Sequence, residues 1–158
     1  GLFVNTPVYL IPPVYQAVGL DLVQLSGDES PAELALLKGM AFKAIRPGDA
    51  GEAVLQAGDY LGASPTSARY PSLLVDAHHP GQYGGTGLPA DDAIALAAKA
   101  CVPRLMLAGG LTPENVAARI AAVQPWGVDV ASGVESGTPG IKDLGKMRAF
   151  VAAAHGQI

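Results

Sequence analysis

Three places in the chain combine residue types and spacing that could do chemistry. The apolar run Ser72 to Val75 ends in Asp76, a carboxylate placed where a buried strand would stop. A charge there is costly unless paired or used, and the C-terminal end of a parallel barrel strand is where catalytic groups collect. Catalysis is the sharper reading of Asp76, and a turn-capping aspartate that accepts backbone N–H groups is the plainer one. Farther along, Leu105 to Ala108 runs into Gly109 and Gly110, and Val128 to Ala131 runs into Ser132 and Gly133, with about 23 residues between the two turns. Glycine lets backbone N–H groups approach an anion that a side chain would hold off, and a helix start aims those groups outward. Two such turns on neighbouring parallel strands would surround one phosphate. Tight turns needed only for packing are the alternative.

Other positions carry weaker signals. Asp129 lies within the last apolar run, where its side chain points either into or out of the strand layer. Lys43 stands inside the run Phe42 to Ile45, where a buried amine needs an anion. A barrel-interior ion pair and a substrate contact both meet that need. His78 and His79 are adjacent, but no Cys, Asp or Glu at metal-ligand spacing accompanies them, so they read as solvated loop residues and neither metal nor cofactor is expected. Gly84 and Gly85 belong to the glycine- and proline-rich stretch 77–89, which reads as a mobile lid.

Holding such residues together requires a folded core. The 158 residues fit one domain, and with 49% of them hydrophobic the core can be large. A net charge of -4 leaves no basic patch, so nucleic acid is not an expected partner and any anion must be held locally. No apolar run approaches the ~20 residues that span a bilayer, and no secretory leader is evident, so a cytoplasmic location without membrane contact is expected. The single cysteine, Cys101, rules out an internal disulfide framework and reads as a small packing residue at the end of a helix.

Strands are expected at Leu2 to Asn5, Leu20 to Leu25, Phe42 to Ile45, Ser72 to Val75, Leu105 to Ala108 and Val128 to Ala131. A helix from Val8 to Val18 admits Pro12 and Pro13 only in its first turn. Ser30, Pro31 and Glu33 form a capping box that opens a helix through Leu34 and Leu37. A short helix from Asp49 to Gln56 follows, and Asp59 to Tyr70 reads as loop with an extended segment around Tyr60 and Leu61. Asp91 to Ala100 is helical. Thr112 reads as an N-cap, with Pro113 at the first helical position and Val116 and Ile120 on one face. Ile141 to Ala154 closes the chain as a helix with Leu144, Met147 and Val151 on one face.

Six mostly continuous apolar strands alternating with helices mean a parallel sheet buried on both faces. The spacing is that of a TIM barrel, whose complete form needs eight units and ~250 residues. Two architectures stay open: a smaller doubly wound sheet, or the last six units of a barrel.

The stretches GLFVN at 1–5, GLDLVQLSGDES at 19–30, FKAIRP at 42–47, LLVDAHHPGQYGGTG at 73–87, LAGGLTPENV at 107–116 and VDVASGVESGTPGIKD at 128–143 are collinear with one family. They resemble the phosphoribosylanthranilate isomerases of tryptophan biosynthesis. The resemblance implies an α/β fold of the (β/α)8 TIM-barrel family, with residues 1–158 as a single domain holding six of eight βα units. GLFVN resembles the family's third strand, so the domain is expected to be incomplete at the N-terminus by roughly 45 to 60 residues.

The implied reaction is the Amadori rearrangement of N-(5-phosphoribosyl)anthranilate to 1-(2-carboxyphenylamino)-1-deoxyribulose 5-phosphate. An acid must protonate the ribose ring oxygen as the furanose opens to an imine, and a base must then take a proton from the adjacent carbon. By resemblance Asp76 is that acid, Gly109, Gly110, Ser132 and Gly133 hold the phosphate, and Asp129, Lys43, Gly84 and Gly85 support the site. The family's base is a cysteine ending its first strand, and no residue here matches it. At 24–27 the chain has Q-L-S-G where the family usually has Q-L-H-G.

The expected partner is a small phosphorylated substrate, together with a homo-oligomer or a complementing N-terminal segment. Two other readings share the phosphate turns: another sugar-phosphate barrel enzyme of tryptophan or histidine biosynthesis, and a non-catalytic phosphate-binding barrel fragment. Asp76 with the loop Tyr83 to Gly87 favours the isomerase over the first, and phosphate binding without turnover would identify the second.

Overall fold

A computed structural model describes residues 1–76 and 92–156. Six short strands pair in parallel: β1 (Leu2–Phe3), β2 (Val23–Leu25), β3 (Ala41–Ile45), β4 (Leu73–Val75), β5 (Leu105–Leu107) and β6 (Gly127–Val128). Their order across the sheet is their order along the chain. A doubly wound sheet reverses direction at a switch point, so this unbroken order is that of consecutive units in a barrel wall.

Alternation along β3 divides the core. Phe42 and Ala44 join Leu74 and Ala108 in a small cluster on one face of the sheet. The opposite face carries the larger core, where Ile45, Leu73, Val75, Leu105 and Leu107 pack against Ala53, Ala57, Ala95 and Ala98 of the covering helices. All of β3 is buried, which is why its sequence shows no polar alternation.

The helices are α1 (Ile11–Val18), α2 (Pro31–Leu36), α3 (Ala50–Leu61), α4 (Asp92–Cys101), α5 (Val116–Val123) and α6 (Leu144–His155). A 3-10 turn, Val8–Leu10, leads into α1, so both prolines fall in its first turn as their geometry requires. The Ser30–Glu33 capping box forms, with the Ser30 side chain accepting from the Glu33 N–H and the Glu33 carboxylate accepting from the Ser30 N–H.

Three expectations need correction. First, α3 continues to Leu61, replacing both the short helix ending at Gln56 and the extended segment at Tyr60 and Leu61. Ala53, Ala57 and Tyr60 recur on one face against the core, and Gly58 falls on the exposed side where it costs little packing. Second, Asn115 rather than Thr112 caps α5, because the Thr112 carbonyl accepts from the N–H groups of Asn115 and Val116 and closes a turn over 113–115. Third, α6 begins at Leu144 rather than Ile141; Leu144, Met147 and Val151 do share one face, which is exposed, while Phe150 and Ala154 face the core.

Cys101 is half-buried at the C-terminal end of α4 and packs on the core, its thiol donating to the Ala97 carbonyl at 3.5 Å. Among the described residues no helix is long and apolar enough to cross a membrane. The glycine-rich stretch, with His78, His79, Gly84 and Gly85, lies outside the described residues.

Candidate active site at the strand ends

Register sets out the site before any side chain is considered. Ile45 pairs with Val75, Val75 with Leu107, and Leu107 with Val128. One residue beyond this row come Arg46, Asp76, Ala108 and Asp129, a rank across the C-terminal ends of four adjacent strands. Neighbouring strands lie ~4.8 Å apart, so the two carboxylates of the rank are about two strand spacings apart with the small Ala108 between them. The Asp76 N–H donates to the Ile45 carbonyl at 3.1 Å and the Asp129 N–H to the Leu107 carbonyl at 2.9 Å, which extends the ladder up to the rank and holds it.

A pocket of about 260 Å³ opens over this rank. Its lining includes Asp76, Asp129, Gly109, Gly110, Ser132 and Gly133, so the acid, the supporting carboxylate and both glycine turns of the sequence reading meet in one place.

Both turns are built for close backbone approach. Gly109 and Gly110 adopt φ of 89° and 63°, left-handed values that a side chain disfavours. Asn115 braces this turn, its amide donating to the Gly110 carbonyl at 2.9 Å while its oxygen accepts from the Thr112 N–H at 2.8 Å. Ser132 and Gly133 open a single 3-10 turn, Ser132–Val134. Lys142 braces the second turn by donating to the Ala131 carbonyl at 2.8 Å and pairing with Glu135 at 2.9 Å. Among the described residues, no backbone hydrogen bond outside the regular elements takes its donor from Gly109, Gly110, Ser132 or Gly133.

Asp129 is exposed at the pocket, yet the protein around it pushes its carboxyl above the ordinary carboxylate value. Loss of hydration is the larger cause, and the Val130 N–H and the Lys142 charge oppose it.

Lys43 is elsewhere. It is 3% exposed, alternates with Phe42 and Ala44, and pairs with Glu29 at 2.8 Å on the helix side of the sheet. Its ammonium also donates to the Gly27 carbonyl and lies 5.8 Å from the centre of the Tyr60 ring of α3. Burial pushes this ammonium below its ordinary value, with Glu29 opposing. The ion pair therefore sits between sheet and helices rather than in the barrel interior, and Lys43 is not among the described residues lining the pocket. The Glu29 carboxylate in turn accepts from the N–H groups of Asn5 and Gly27, tying together the loops that follow β1 and β2.

Three polar or charged lining residues were not among the site residues expected from the sequence. Gln24 and Ser26 face the pocket from β2 and its end, the Gln24 amide donating to the Ser26 hydroxyl at 3.0 Å. Arg46 follows β3, and counting in twos from Phe42 and Ala44 puts it on the pocket face.

Comparison with known proteins agrees with this arrangement. The family described as N-(5'phosphoribosyl)anthranilate (PRA) isomerase matches residues 1–153. The N-(5'-phosphoribosyl)anthranilate isomerase of Roseiflexus castenholzii is 49% identical over 157 residues, spanning 98% of this chain and 68% of the relative. The crystal structure of phosphoribosyl anthranilate isomerase from Thermotoga maritima superposes with a TM-score of 0.81 at 31% identity, over 99% of this chain and 72% of that one. A phosphoribosyl anthranilate isomerase in complex with reduced 1-(o-carboxyphenylamino)-1-deoxyribulose 5-phosphate matches with a TM-score of 0.77 at 30% identity, over 99% of this chain and 70% of that one. The chain belongs to the N-(5'-phosphoribosyl)anthranilate isomerase family.

Proposed function

We propose that the protein serves tryptophan biosynthesis by isomerising N-(5'-phosphoribosyl)anthranilate to the corresponding 1-(2-carboxyphenylamino)-1-deoxyribulose 5-phosphate. The observation that carries this reading is the convergence of Asp76 and both glycine turns on one pocket in a chain of this family. Backbone N–H groups of Gly109, Gly110, Ser132 and Gly133 hold the phosphate, with the ends of two successive strand-turn units facing it. Asp76 protonates the ribose ring oxygen, its carboxyl standing beside the turn that fixes the other end of the sugar. Asp129 accepts a hydrogen bond from a substrate hydroxyl.

Proton removal from the second sugar carbon needs a base, and Cys101 at the far end of α4 does not line the pocket. The lone half-buried cysteine supports a reducing, cytoplasmic setting. The strand edges of β1 and β6, with the exposed apolar face of α6, support a second copy or a complementing strand segment as partner. The test is turnover of N-(5'-phosphoribosyl)anthranilate by wild type and Asp76→Asn: the variant should lose turnover while still binding product, and full turnover without the Asp76 carboxyl would refute the assignment.

A further inference from the structure

We infer that Lys142 is a positioning residue for the substrate phosphate, holding the Ala131 carbonyl from outside the pocket so that the N–H of Ser132 faces the anion. This rests on the phosphate reading of the two glycine turns and adds to it the side chain that orients one of their donors.

The peptide between Ala131 and Ser132 is trans. Its C=O and N–H lie in one plane and point in opposite directions, so whatever fixes the Ala131 carbonyl also aims the Ser132 N–H. Ala131 has φ -118° and ψ -83°. A parallel strand holds ψ near about +115°, so this peptide is turned nearly over where the strand's direction ends. The Lys142 ammonium donates to the Ala131 carbonyl at 2.8 Å. Ala131 and Ser132 line the pocket, and Lys142 is not among the described lining residues. The ammonium therefore stands behind the peptide, with the anion site in front of it.

Several contacts hold the ammonium there. Glu135 takes it in an ion pair at 2.9 Å, and the same carboxylate oxygen accepts from the Gly140 N–H at 3.0 Å. Glu135 and Lys142 also pair in an antiparallel bridge, and the Asp143 N–H donates to the Val134 carbonyl at 2.8 Å, so the backbone on both sides is fixed. A hydrogen bond from an ammonium is stronger than one from a neutral donor, and it polarises the peptide so that the Ser132 N–H becomes a better donor to an anion. The first turn has a neutral counterpart in Asn115, whose amide donates to the Gly110 carbonyl and so holds the peptide that carries the Leu111 N–H. The Lys142 side chain is 39% exposed, and a surface pair of this kind adds little to stability. That separates a positioning role from a structural one.

The experiment reads calorimetric titration with inorganic phosphate and ¹⁵N amide spectra on the same proteins. Lys142→Met should weaken phosphate binding about tenfold, and Lys142→Arg, which keeps a charged donor, should stay within about threefold of wild type. Lys38→Met, which removes one positive charge from an exposed position after α2, should stay within about twofold. In Lys142→Met the Ser132 amide should lose most of its phosphate-induced shift while that of Gly110 keeps its own, and the denaturation midpoint should remain near that of wild type. Lys142→Gln, a neutral donor, gives the reading should Lys142→Met fail to fold, with binding at least about threefold weaker than wild type. Wild-type affinity and an unchanged Ser132 shift in the neutral variants overturn the inference and leave the cradle standing. Equal weakening in Lys38→Met and Lys142→Met overturns it too, because net charge alone would account for both. Loss of the Ser132 and Gly110 responses together with a fallen midpoint has the same force, since Lys142 would then serve the fold. If wild type binds no phosphate at either turn, the cradle reading itself fails.

Discussion

Gly133 lies against the carbonyl oxygen of Leu111, so close that a Cβ on Gly133 would overlap it. The two glycine turns are therefore in contact, and the absence of a side chain at Gly133 is what lets them close around one point. This contact turns two local motifs into one cradle.

Gly133→Ala should damage the cradle by forcing the turns apart. The obstacle is backbone rather than a flexible side chain, so relief requires a shift of one turn, costing about 1 to 3 kcal/mol. We expect a lower denaturation midpoint together with at least tenfold weaker phosphate binding. Unchanged phosphate affinity would show that the two turns act independently.

Asp76→Asn keeps size and polarity but removes the transferable proton. In protein that turns over substrate, kcat should fall by ~10² to 10⁴ with a smaller effect on KM, because the phosphate anchor is intact. Steady-state kinetics of the pair decides this, and near-normal kcat would assign the acid to another group.

The site was legible in the sequence where its cause is local. A capping box such as Ser30 to Glu33, or a strand that ends in Gly109–Gly110, depends on neighbours a few residues away, and both formed where expected. Lys43 was not legible, because its partner Glu29 is 14 residues distant and β3, buried on both faces, gives no polar alternation to show which way the amine points. Arg46 lies one residue past the strand expected at Phe42 to Ile45, so the alternation that sets its direction was not carried on to it. The length of α3 was obscured by the poor patterning of Asp59 to Tyr70, in which Tyr60 alone continues the buried face of Ala53 and Ala57.

Lys43→Met should destabilise the fold more than it disturbs the phosphate site. Removing the ammonium leaves the buried Glu29 carboxylate without its counter-charge, a loss of about 3 kcal/mol or more. Glu29→Gln together with Lys43→Met should recover part of it. Denaturant unfolding of the single and double variants measures the difference, and a single variant as stable as wild type would contradict the pairing argument.

Asp129 should show the opposite balance between stability and function. A carboxyl held above its ordinary value of 3.8 binds its proton more tightly in the folded chain than in the unfolded one. Folding therefore loses stability as pH rises from 3.8 through the folded value, and the loss is complete above it. Asp129→Asn should be slightly more stable than wild type at pH 7, by under ~1 kcal/mol because the group is exposed, and the gain should vanish in acid. The same variant should bind product analogue more weakly. Melting curves across pH test the sign, and a variant destabilised at pH 7 would contradict it.

The most direct measurement of the central claim is a titration of the ¹⁵N-labelled protein with inorganic phosphate, following backbone amide resonances. If the two glycine turns form one anion cradle, the amides of Gly110, Ser132 and Gly133 should shift together with a single Kd, and those of Lys43 and Cys101 should stay in place. Shifts confined to His78 and His79, with both glycine turns silent, would contradict the account.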